Sequence, residues 1–78
     1  LDESDIILEY MINNLRLMSG FSKKHFEGCT GLSFDLIKEK LINLNRLGLM
    51  KEMQKERWCP TALGFRFLDD IQAKFLPI

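Results

Sequence analysis

The stretch SFDLIKEKLINLNRLGLMKEMQKERWCP, residues 33–60, changes its hydrophobic period half-way, and that change decides the fold. Phe34, Ile37, Leu41, Leu44 and Leu47 recur at spacings of three and four, the rhythm of one buried helical face. Ser33 caps the start, Asp35 sits in the first turn where the helix dipole favours an anion, and Gly48 stops the helix. Lys38, Glu39, Lys40 and Arg46 fall mostly on the other side. Beyond Gly48 the period shortens. Leu49, Lys51 and Met53 alternate with Met50 and Glu52, which predicts a short strand. Gln54-Lys55-Glu56-Arg57 makes a turn, and Trp58-Cys59-Pro60 forms a second strand. Pro60 has no amide donor, so that strand ends there or lies at a sheet edge.

Upstream, Leu8, Met11, Ile12, Leu15 and Met18 share one face of a helix over residues 5–18, capped by Ser4 or Asp5 and closed by Gly20. Ile7, Tyr10 and Leu17 widen its apolar surface. A short helix follows from the cap Ser22 to Glu27, anchored by Phe21 and Phe26, and Gly28-Cys29-Thr30-Gly31 reads as a turn. Downstream, Thr61 caps a last helix whose stripe is Leu63, Phe67, Leu68, Ile71 and Phe75, ended by Pro77. The expected fold is mostly α: a winged-helix-like single domain over residues 1–78, with three main helices, one short helix and a two-stranded β wing.

The 78 residues bear 11 basic and 11 acidic side chains, a formal net charge of zero, with 46% hydrophobic and 28% charged residues. That is the profile of an ordinary globular domain, whose core at this size is thin. No apolar run approaches the ~20 residues of a membrane span. The charged lead Leu1-Asp2-Glu3-Ser4-Asp5 reads as a cut from a longer protein at a linker. Cys29 and Cys59 form no CxxC pair and read as reduced thiols in a cytoplasmic protein.

No complete catalytic set emerges. His25 is the one histidine, and Glu27, two residues on, points elsewhere on a helix. His25 and Cys29 form an i,i+4 pair to which Cys59 would add a third ligand, but a zinc site needs four, or three and a water. Asp69 and Asp70 point ~100° apart on a helix and make no acid–base dyad. Trp58, Phe34, Phe65, Phe67 and Phe75 read as packing. The competing reading is a stand-alone winged-helix module binding DNA or protein. For DNA, the third helix and the wing should carry a basic stripe. Lys38, Lys40 and Arg46 oppose Asp35 and Glu39 on that helix, and Lys51, Lys55 and Arg57 oppose Glu52 and Glu56 on the wing, leaving a single positive charge on each. The expected partners therefore exclude nucleic acid.

Three stretches carry a family resemblance. Glu9-Tyr10-Met11-Ile12-Asn13-Asn14-Leu15-Arg16-Leu17 resembles the opening of the C-terminal domain of the oxygen-independent coproporphyrinogen III oxidase family, HemN and its relative HemW. Thr30-Gly31-Leu32, the helix that follows and Gly48-Leu49 are similar to its centre. Residues 60–71, from Pro60-Thr61-Ala62-Leu63-Gly64 to Asp70-Ile71, are similar to its close. Pro60 departs from the branched apolar residue usual before the threonine. The Thr30-Gly31-Leu32 version looks closer to HemW.

The resemblance implies a parent with an upstream radical S-adenosylmethionine barrel, holding a [4Fe–4S] cluster on CxxxCxxC and acting on porphyrins. HemN-type members decarboxylate coproporphyrinogen III, and HemW-type members look like haem chaperones. Cys29 and Cys59 match no cluster position, and no family catalytic residue maps onto this chain. The implied partner is the barrel of the same chain, with porphyrin or haem met only through it. Ile7, Tyr10, Leu17 and Phe75, with the tail Leu76-Pro77-Ile78, are the candidate interdomain contacts, and the same side chains serve equally well as core.

Overall fold

A computed structural model describes residues 2–17 and 19–76. Met18, Pro77 and Ile78, which the sequence places at helix and tail ends, lie outside the described residues, as does Leu1. Along the chain run α1 (Glu3–Asn14), β1 (Phe21–Ser22), α2 (Lys23–Thr30), α3 (Asp35–Arg46), β2 (Met50–Met53), a 3-10 turn (Gln54–Glu56), β3 (Arg57–Pro60), α4 (Ala62–Arg66) and α5 (Leu68–Ala73). This is a mostly helical, winged-helix-like domain. No described helix is long and apolar enough to cross a membrane.

The wing forms as its alternation predicts. β2 and β3 pair antiparallel with Met50 opposite Pro60 and Met53 opposite Arg57. The sheet also has a third strand that the sequence does not announce. β1 pairs with β3, Phe21 opposite Trp58 and Ser22 opposite Arg57, giving the order β1-β3-β2. Gly20 is left-handed, as foreseen, but it does not cap α1, which ends at Asn14. Gly20 instead lies against the Trp58 carbonyl, where a Cβ would collide with that oxygen and with Cys59. The close approach admits β1 to the sheet.

The helices differ from the expected bounds at their ends. Asp2, not Ser4 or Asp5, caps α1 by accepting the N–H of Asp5. Ser22 caps α2 through the N–H of His25, and α2 continues through Gly28 and Cys29 to Thr30, where left-handed Gly31 closes it. Ser33 does accept the N–H of Asp35 at 3.3 Å. A stronger partner at this helix start is the carboxylate of Glu27, which accepts the N–H of Phe34 at 2.8 Å.

The largest departure is the last helix, which is two. Phe67 leaves the helical path at φ −125°, ψ 38°, between α4 and α5. α4 packs on the end of β3 while α5 packs on α1, and one straight rod cannot meet both. Gly64 makes the first contact possible: it lies so close to the Leu49 carbonyl that a Cβ would overlap it. Ile71 and Phe75 then enter the core, whereas Leu63 and Phe67 stay outside it, each 44% exposed.

The core gathers Tyr10, Met11 and Leu15 from the first helix and its end, Phe21, Phe26, Phe34, Ile37, Leu41, Leu44, Met50, Trp58, Ile71 and Phe75. Leu47, expected on the buried stripe of α3, is 60% exposed, because the chain leaves the helix at Arg46 and turns away at Gly48.

Candidate functional site

The four anticipated contact residues divide. Tyr10 and Phe75 are buried inside this domain, Ile7 packs at the rim of the same core, and Leu17 is exposed. For Tyr10 and Phe75 the packing follows the core alternative. The ring of Tyr10 is enclosed edge-on by Phe21, 5.6 Å between centroids, and by Phe26 at 5.0 Å. Phe75 is covered on one side by the Lys40 ammonium, 5.4 Å above its ring.

What α1 offers outward lies on its next stripe. Leu8 and Ile12 of α1 and Ala73 and Leu76 at the end of α5 line one hollow of about 240 Å³, with Asp69 and Gln72 at its edge. Ile12 and Leu76 are exposed there, although an isolated small domain gains from covering such side chains. Leu36 and Ile42 on α3 and Leu47 just beyond its end are likewise exposed, so the helix that a DNA reader would lay in the groove presents apolar residues among its mixed charges.

A second constellation joins residues that lie apart in the sequence. Packing of α1 on α2 brings the Tyr10 phenol 2.7 Å from His25 Nδ1. Burial pushes that phenol well above the usual tyrosine range, electrostatic interaction with Cys29 adds to the rise, and Arg57 opposes it. One helical turn after His25, Cys29 Sγ lies 3.5 Å from Nε2 and 4.0 Å from Nδ1. The i,i+4 spacing of His25 and Cys29 is plain in the sequence. Tyr10 as the ring's partner is not, because the contact depends on how two helices pack. A hollow of about 350 Å³ beside them is lined by Ile6, Glu9, Tyr10, Asn13, Cys29 and Thr30, among others.

Cys59 belongs to neither group. It is buried in β3 with its thiol toward the Met53 sulfur at 3.9 Å, and both cysteines are free. It therefore supplies no third ligand to His25 and Cys29, and among the described residues no three His, Cys, Asp or Glu side chains are placed to share a metal.

With this geometry in place, comparison with known families is decisive. A family model described as the HemN C-terminal domain matches residues 1–67. The chain belongs to the HemN C-terminal domain family. The match takes in α1, the whole winged-helix unit and α4, and it stops at the break before α5. No curated protein and no solved structure matches the chain. The Tyr10–His25–Cys29 constellation and the α1 wall of the hollow thus lie within the matched span, whereas Asp69, Gln72, Ala73 and Leu76 on its other wall lie beyond it.

Proposed function

We propose that this HemN C-terminal domain is a non-catalytic accessory domain of a cytoplasmic radical S-adenosylmethionine protein of porphyrin and haem metabolism. The observation that carries the reading is the family match over residues 1–67. In such a parent, the [4Fe–4S] cluster and S-adenosylmethionine belong to the upstream barrel, and porphyrin or haem reaches this domain only through it. The Thr30-Gly31-Leu32 turn supports the HemW, haem-carrying branch over the decarboxylating one.

The domain docks on the barrel of its own chain and covers the substrate mouth. Its docking side is the hollow between α1 and α5, where Ile12 and Leu76 offer apolar surface between polar edges. Interfaces between domains of one chain commonly bury surface of this mixed kind. Tyr10 and Phe75 act indirectly, by holding α1 and α5 in place.

The test is Ile12→Ser with Leu76→Ser, made both in the 78-residue chain and in the full-length parent. The expected result is an unmoved thermal transition in the short chain. In the parent, proteolysis between the domains should become faster and porphyrin or haem handling should weaken. Unchanged proteolysis and handling would exclude this face. An upstream coding sequence without CxxxCxxC would overturn the parent itself.

A further inference from the structure

We infer that Cys29 is a nucleophilic thiol, served by His25 and positioned by Tyr10, which forms a mixed disulfide with a small disulfide carrying an ammonium group. The three side chains have the logic of a nucleophile, a base and an orienting group. Cys29 is exposed on α2, so a small reagent can reach its sulfur. His25 stands one turn away on the same helix, with Nε2 the nearer nitrogen to Sγ at 3.5 Å. Its other nitrogen is engaged by the Tyr10 phenol at 2.7 Å, and the phenol is itself held between Phe21 and Phe26. A phenol clamped in the core fixes the direction of an imidazole at the surface. A freely rotating surface histidine would not face its neighbour in this way.

The proton and electron movements follow from that arrangement. With Nδ1–H donated to the phenol oxygen, Nε2 is free to accept the thiol proton of Cys29. The resulting imidazolium keeps its bond to the phenol oxygen, which burial keeps neutral. The Cys29 thiolate attacks one sulfur of the disulfide along the S–S axis. A new bond forms between Sγ and that sulfur, the old S–S bond breaks, and the other half leaves as a thiolate that takes the proton back from His25. No external oxidant is required, since the disulfide itself is reduced by the exchange.

The ligand class comes from the neighbouring hollow. Its about 350 Å³ holds one small substituent, and Glu9 is the charged residue among those lining it with Cys29. Asn13 adds an amide on the same wall, whereas Asn14 already donates to the Tyr10 carbonyl at 2.8 Å. A carboxylate and an amide lining the hollow that Cys29 also lines select an ammonium-bearing chain over a neutral or anionic one. Cys59, buried and turned toward Met53, provides an internal control.

The experiment treats the 78-residue chain with cystamine or with neutral 2-hydroxyethyl disulfide and follows adduct formation at each cysteine by mass spectrometry. Cystamine should modify Cys29 well before Cys59, and faster than the neutral disulfide does. Glu9→Gln should remove that preference. His25→Gln, at an exposed position, should slow the reaction roughly tenfold, short of the ~100-fold that a fully enclosed base contributes. Tyr10→Phe, checked for folding by circular dichroism, should slow the reaction at Cys29 while leaving the rate at Cys59 unchanged. Should His25→Gln react at the parent rate, or should the two disulfides react equally with the parent chain, the assignment is overturned.

Discussion

The carboxylate of Glu27, near the end of α2, accepts the backbone N–H of Phe34 at 2.8 Å and so caps α3 from another helix. The usual cap position of α3 makes no side-chain bond of its own. The bond is charge-assisted and sits at the positive end of the helix dipole, where an anion is favoured. Glu27→Ala should therefore destabilise the domain by about 1–2 kcal/mol, and Glu27→Gln by less, since the amide oxygen can still accept. Urea unfolding of the three chains measures this. Equal midpoints for parent and Glu27→Ala would contradict the cap.

Two glycines should respond to alanine in opposite directions. Gly64 faces the Leu49 carbonyl and the Pro60 ring, so a methyl there forces α4 off the wing, a loss of about 3 kcal/mol. Gly28 lies inside α2 with open space around it, and alanine there should stabilise by about 0.5–1 kcal/mol. Thermal unfolding of both variants tests the packing of α4 against the helical state of residue 28.

The buried face of α3 is checked by a pair of truncations. Leu41 is fully buried, and Leu41→Ala should cost about 2–5 kcal/mol, a large share of the stability of so small a domain. Leu47→Ala, at the exposed end of the same stripe, should change stability by no more than about 0.5 kcal/mol. Comparable losses at both positions would mean that the helix is rotated.

Stability should fall in alkali through Tyr10, the one tyrosine of the chain. Burial holds its phenol above the ordinary value of 10.0 in the folded state, so the unfolded chain ionises first. The folded state then retains a proton that the unfolded state has lost. This contribution is fully present below about pH 10 and is lost as the pH rises from there toward the folded value. Unfolding midpoints followed across that range should decline, and Tyr10→Phe should flatten the decline. The ultraviolet band of the phenolate, absent until the protein unfolds, gives a second reading of the same group.

Much of this domain is decided by short-range pattern. The period-3.6 run of Phe34, Ile37, Leu41 and Leu44 defines α3, and the alternation after Gly48 defines β2. Ser22 and Thr61 cap their helices, and Gly48 takes the left-handed turn that follows α3. Each of these rests on the sterics or hydrogen bonding of a few neighbouring residues, so the local sequence is sufficient. The Cys29–His25 pairing is legible for the same reason, being one helical turn.

Choices among locally equivalent options needed the tertiary structure. From α1 to its end, the stripe of Ile7, Met11 and Leu15 and the stripe of Leu8, Ile12 and Leu15 are both at helical spacings of three or four. Phe21 and Phe26 select the face that carries Tyr10, and Ile12 is left outside. A two-residue strand has too little length for periodicity, so β1 exists only because Trp58 and Arg57 are there to pair with it. The break at Phe67 carries no glycine or proline signal and arises because α4 and α5 have different packing partners. The sequence by itself determined α1, α2, α3, the two wing strands and their order, since those depend on neighbours a few residues apart. The buried face of α1, the third strand, the division of the last helix and the partner of His25 depend on residues far along the chain, and only packing brings those together.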